Sequence, residues 1–224
     1  MRRTFFVCLA YATAVLVLLP FATTPWPELP GLSPLFSGGI VVTELSTALL
    51  LLSRFYQQRT LSLLLLASAY SYSGLMVLPH LLTLPGGLLA GQSALGTSAQ
   101  SPAWIFLAWM LGYALLSLFA VAAEGRWLQH PIPPSKIARA AATATAAPVI
   151  LVLIITVLAV RFADNMPPLL DANGWTQLNK AGTLLILLSL ACAIGWIYRL
   201  DRRDEIFSWL SVALVAILAA NILS

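Results

Sequence analysis

Hydrophobic residues run in seven long stretches, at 5–22, 35–53, 61–78, 103–123, 140–160, 181–198 and 206–223, separated by short polar or proline-rich breaks. Each stretch is close to the ~20 residues with which a helix crosses ~30 Å of hydrocarbon. Inside lipid a chain must satisfy its own backbone N–H and C=O groups. The pattern therefore predicts an all-α, polytopic transmembrane helical bundle of seven spans. An odd number of spans leaves the chain ends on opposite sides.

The breaks differ in character. Residues 23–34 hold Pro25, Pro27, Pro30 and Pro34 beside Trp26 and Glu28, which reads as an extended cap because proline resists helix. The break at 54–60 is short and basic, so its flanking helices should form a tight hairpin. Residues 79–102 carry no Asp, Glu, Lys or Arg and should lie in the interface or re-enter slightly. The break at 124–139 is proline-rich with Lys136 and Arg139, and that at 161–180 is polar, with Asp164, Asp171 and Trp175. Residues 199–205 form a compact charged turn.

Composition agrees with a membrane solvent. The chain is 60% hydrophobic and 9% charged, with a mean hydropathy of +0.90, whereas a soluble domain carries about 25% charged residues. One membrane domain spanning 1–224 is expected. The net charge of +4 does not point to nucleic acid, because its distribution is one-sided. With the N-terminus cytoplasmic, Arg2, Arg3, Arg54, Arg59, Arg126, Lys136, Arg139, Arg199, Arg202 and Arg203 fall inside, and only Arg161 and Lys180 outside. Ten against two is the bias of cytoplasmic loops. The expected location is the inner (plasma) membrane, with the C-terminus at Ser224 outside. The lipid bilayer is the first partner, its anionic headgroups next to the basic loops. The opening Met1-Arg2-Arg3 before an apolar run resembles a signal peptide, but it reads as an uncleaved first helix.

The chemistry is sparse. Cys8 and Cys192 both lie in apolar stretches and read as small buried hydrophobes, and no metal-ligand spacing is present. No metal or cofactor is expected. Glu44 is the one acidic residue within a stretch, and Thr47 shares its helix face. An intramembrane carboxyl is either a functional site or a hydrogen-bonded packing residue. His80, directly after Pro79, is either an interfacial cap or a group that titrates near neutral pH. His130 reads as solvated. Tyr70, Tyr72, Trp104, Trp109 and Tyr113 form either an ordinary interfacial belt or a ligand cage. Small residues at 138–147 and Gly74, Gly112, Gly182 and Gly195 permit close helix packing. Nucleotide-binding, serine-hydrolase and zinc-protease motifs are absent, as is a trail of intramembrane charges of the kind a proton-driven transporter carries.

Several segments carry a family likeness. They are Thr43-Glu44-Leu45-Ser46-Thr47-Ala48-Leu49-Leu50, Leu65-Leu66-Ala67-Ser68-Ala69-Tyr70, Leu78-Pro79-His80-Leu81-Leu82-Thr83-Leu84-Pro85-Gly86 and Gln100-Ser101-Pro102-Ala103-Trp104. Together they resemble the fourth class of the MASE membrane-associated sensors, which are N-terminal inputs to bacterial diguanylate cyclases. Two positions depart from the family pattern. Met110 stands where a histidine follows the tryptophan, and Glu44 stands where aspartate is usual, keeping the carboxylate.

The resemblance implies a sensory input domain without catalysis of its own. Its output would be cytoplasmic, through a domain in cis or a partner in trans, and it would dimerise as cyclases do. Glu44, Thr47, Tyr70, His80, Gln100, Trp104 and Trp109 become the ligand-sensing candidates. Glu44 and His80 are expected to approach within ~20 Å, two helix diameters, in the outer half of the bundle. Family members continue with a further helix, so this chain is expected to be an input module cut one helix short; a stand-alone relative is the alternative. A small transporter or membrane enzyme acting on a hydrophobic substrate is the competing class.

Overall fold

The computed structural model of the protein describes residues 32–88, 92–95, 98–124, 131–172, 174–200 and 205–223, with residues 6, 7, 9, 10, 13, 14, 17 and 20. Most of the first stretch, Cys8, Trp26, Glu28, Arg126, His130, residues 201–204 and Ser224 lie outside the described residues, as do the expectations placed on them. Six long helices follow one another: α1 (Leu32–Gln58), α2 (Leu61–Thr83), α3 (Gln100–Ala122), α4 (Ile137–Arg161), α5 (Gln177–Arg199) and α6 (Glu205–Leu223). The first five are long and apolar enough to cross a membrane, and α6 is a further apolar helix.

The helices overrun the apolar stretches at both ends. Residues 54–58, read as loop, belong to α1, because Phe55 is fully buried and holds the last turns against the core. Only Arg59 and Thr60 connect α1 to α2, and Arg59 takes the left-handed conformation at φ 59°. That ends α1 sharply and turns α2 back beside it, with the Arg59 N–H on the Phe55 carbonyl. α2 continues through Pro79, where one backbone donor is missing. Beyond it, the Thr83 hydroxyl donates back to the Pro79 carbonyl at 2.8 Å.

α2 is the most buried helix and touches α1, α3 and α4; α3 in turn touches α4 and α5, and α6 packs on α5. α4 and α5 direct rows of Leu, Ile and Val outward, as lipid-facing helices do. The alanine-rich start of α4 buries Ala141 and Ala144, and there the Ser68 hydroxyl reaches the Ala144 carbonyl at 3.1 Å.

The two ends of the bundle are built differently. At the basic end the Ser62 hydroxyl donates to Glu124 at 2.5 Å, joining the start of α2 to the end of α3. The Ile132 N–H bonds the Arg59 carbonyl at 2.8 Å, so the two loops of this end are tied together. At the opposite end, the segment read as polar coil contains a two-stranded antiparallel hairpin, β1 (Leu170–Asp171) with β2 (Gly174–Trp175). The Pro85-Gly86-Gly87 turn sits there too. Gly86 is left-handed at φ 76°, and a Cβ on Gly87 would collide with the Leu81 carbonyl, so glycine is required at both.

Candidate functional site

The tightest seam lies between α2 and α3. Tyr72 places its ring where a Cβ on Gly112 would stand, and its hydroxyl donates to the Ala108 carbonyl at 2.7 Å. One turn away, the buried Trp109 indole donates to the Ser73 hydroxyl at 2.9 Å. Ser73 in turn bonds the Glu44 carboxyl across the α1–α2 contact. Gly74 makes that approach possible, because a Cβ there would lie 3.0 Å from the Cβ of Glu44. The other carboxyl oxygen, Oε2, is buried without a partner. Glu44 stands near the middle of α1.

His80 joins the same array from the hairpin end. Its ring lies 5.8 Å from Trp109 and 5.7 Å from Phe106, within hydrogen-bonding reach of the Pro102 carbonyl, while Nδ1 is buried and unpartnered. The sequence Glu44, Ser73, Trp109, His80 is thus contiguous. His80 is seven residues beyond Ser73 on α2, a rise of about 10 Å. Trp104 packs partly buried against this cluster, its indole N–H unpaired.

Toward the basic end, Tyr70 meets Tyr113 edge to face at 5.6 Å. The Tyr113 hydroxyl and the Ser117 hydroxyl are neighbours in the core, yet neither forms a well-shaped hydrogen bond. Thr47 spends its hydroxyl on the Thr43 carbonyl at 2.7 Å. With Tyr70, Arg54, Glu205 and Trp209 it lines a cavity of about 430 Å³.

Gln100 has a structural job. Its amide holds the hairpin: Nε2 donates to the Leu170 carbonyl at 2.6 Å, and Oε1 accepts the N–H groups of Leu169 and Leu170 at 3.0 and 3.2 Å. Leu169 is thereby buried completely. Beneath the hairpin, between α3 and α5, opens a cavity of about 750 Å³ bordered by His80, Phe106, Leu170, Trp175 and Lys180. Among the described residues, no group of three His, Cys, Asp or Glu side chains could hold a metal.

A family model described as a membrane-associated sensor, integral membrane domain, matches residues 27–224. The chain belongs to the MASE4 family. No curated protein and no solved structure matches it. Membership makes this an integral membrane sensor domain, and the sensor motifs acquire physical roles. The Pro-His pair sets a ring on Trp109, the Pro-Gly run forms the turn at residue 86, and the glutamine of the Gln-Ser-Pro segment anchors the hairpin. Met110, in the position where the resemblance leads one to expect histidine, receives the Asn221 amide of α6 at 3.8 Å. Sequence reasoning missed Ser73, Phe106 and Asn221. Ser73 and Phe106, small or apolar within an apolar stretch, give no signal until their neighbours are known, whereas Asn221, a polar amide in the last stretch, was a signal that could have been read.

Proposed function

We propose that this MASE4 domain resides in the inner (plasma) membrane with its basic end cytoplasmic, and passes an external or membrane-borne stimulus to a cytoplasmic output of the cyclic-di-GMP type. The bundle counts seven spans in this reading, with the N-terminus inside and the C-terminus outside. The output acts in cis or through a partner, the domain works as a homodimer, and it has no catalysis of its own. The sidedness is supported by the basic groups gathered at one end, among them Arg54, Arg59, Lys136, Arg139 and Arg199, with Arg161 and Lys180 at the other.

The observation that carries the sensory mechanism is the contiguous array from His80 through Trp109 and Ser73 to Glu44. It runs from the hairpin-end cavity to the middle of α1, and Glu44 Oε2, Tyr113 and Ser117 are left poorly satisfied. Each such buried group costs about 1–3 kcal/mol. A second packing that pairs one or two of them therefore differs from this one by only a few kcal/mol, the gap a stimulus can bridge. Binding that moves His80 or Trp109 would shift the balance between the two packings, and α2 and α3 carry the shift to the basic end.

The test is the cyclic-di-GMP level in cells making the natural protein or its Trp109→Phe and Glu44→Gln variants at equal membrane abundance. A change of about fivefold or more is expected for either variant, a typical allosteric coupling. Equal levels in all three would contradict the proposed output.

A further inference from the structure

The cavity under the hairpin has a polarity that selects a ligand. Its mouth carries Lys180, the single Lys, Arg, Asp or Glu side chain among the described lining residues, with Asn179 and Trp175 beside it. Below, α5 contributes Thr183, Leu184 and Leu187, and α3 contributes Ala103, Phe106 and Leu107. Lys180 and Leu187 lie two turns apart on α5, so the apolar part extends about 10 Å beneath the ammonium group. The volume of about 750 Å³ falls in the range of small-ligand sites. Partway along stands His80, whose buried Nδ1 has no protein partner.

A wholly apolar occupant would make no use of the Lys180 ammonium group at the mouth. A compact polar solute would leave the leucines and Phe106 against empty space. The geometry points to a single-chain amphiphile with an anionic carboxylate head, a fatty-acid-like molecule, bound with its head at Lys180 and its acyl chain between α3 and α5. This deepens the sensory reading and rests on it for its meaning: the chain would lie against Phe106 and His80, which stack on Trp109. The hairpin held by Gln100 would roof the head group.

The test uses the full chain in phosphatidylcholine nanodiscs and labelled dodecanoate, with dodecanol as the uncharged control. Saturable dodecanoate binding is expected, about tenfold tighter than dodecanol, the worth of one charge-assisted contact. Lys180→Gln should remove that difference by weakening dodecanoate alone. Ala103→Phe should block both ligands by filling the cavity, and Leu184→Trp, at an exposed position, does the same should the first variant misfold. Binding that never saturates above the phospholipid background would mean the crevice simply holds bilayer lipid, and would overturn the assignment. So would dodecanol binding as tightly as dodecanoate, or insensitivity to Lys180→Gln. Saturable binding with unchanged cyclic-di-GMP would leave this site standing and remove the sensory reading instead.

Discussion

Gly112→Ala should disrupt the α2–α3 seam through a single methyl group. The added Cβ falls inside the space of the Tyr72 ring, and Tyr72 is almost fully buried with no room to swing away. Overpacking of this kind costs about 1–3 kcal/mol. Displacing the ring also loses the bond from the Tyr72 hydroxyl to the Ala108 carbonyl, 2.7 Å long, and interhelical hydrogen bonds in membranes contribute about 0.6 kcal/mol on average. The expected loss is therefore about 1.5–3.5 kcal/mol in reversible unfolding from mixed micelles. The control is the same substitution beside Tyr72→Leu, which vacates the ring position. There Gly112→Ala should cost less than about 0.5 kcal/mol, so that the double-mutant cycle shows strong coupling. A neutral Gly112→Ala, or an equal cost in both backgrounds, would refute the seam as described.

The hairpin and the sidedness yield two further predictions. Gln100→Ala removes three hydrogen bonds to Leu169 and Leu170, so amide exchange at those two residues should accelerate by about tenfold; unchanged exchange would show that the hairpin is held by other contacts. In a Cys8→Ala, Cys192→Ala background, Gln177→Cys should react with a membrane-impermeant maleimide in intact cells, and Arg139→Cys only after permeabilisation, whereas the reverse pattern would invert the orientation.

Much of the helical layout was readable from hydropathy, because the apolar stretches are long and the breaks carry prolines or charges. Helix ends were less readable. Phe55 prolongs α1 through tertiary burial, and Pro79 sits inside α2 because the surrounding helix tolerates one missing donor. The site was legible in part. Glu44 stands out as the lone intramembrane acid, and it meets a polar partner, Ser73, a small residue on the neighbouring helix that local reading does not single out. His80 and Trp109 were both singled out, yet their stacking depends on the rotation of α2 against α3, which no periodicity reports. Thr47 shares the helix with Glu44 but turns its hydroxyl to its own backbone, an option open to any helical threonine. Gln100, a sensing candidate by resemblance, binds a hairpin some 70 positions along the chain, a partner beyond the reach of local reading.

The account stands on two packings of α2 against α1 and α3, linked to the basic end. Double electron–electron resonance measures this directly, with labels at Gln57→Cys on α1 and Arg199→Cys on α5 in a Cys8→Ala, Cys192→Ala background in nanodiscs. Two distance populations are expected, and Glu44→Gln should change their ratio, since it alters the carboxyl held by Ser73, whose hydroxyl in turn accepts the Trp109 indole N–H. A single distribution, identical with and without Glu44→Gln, would contradict the two-state seam.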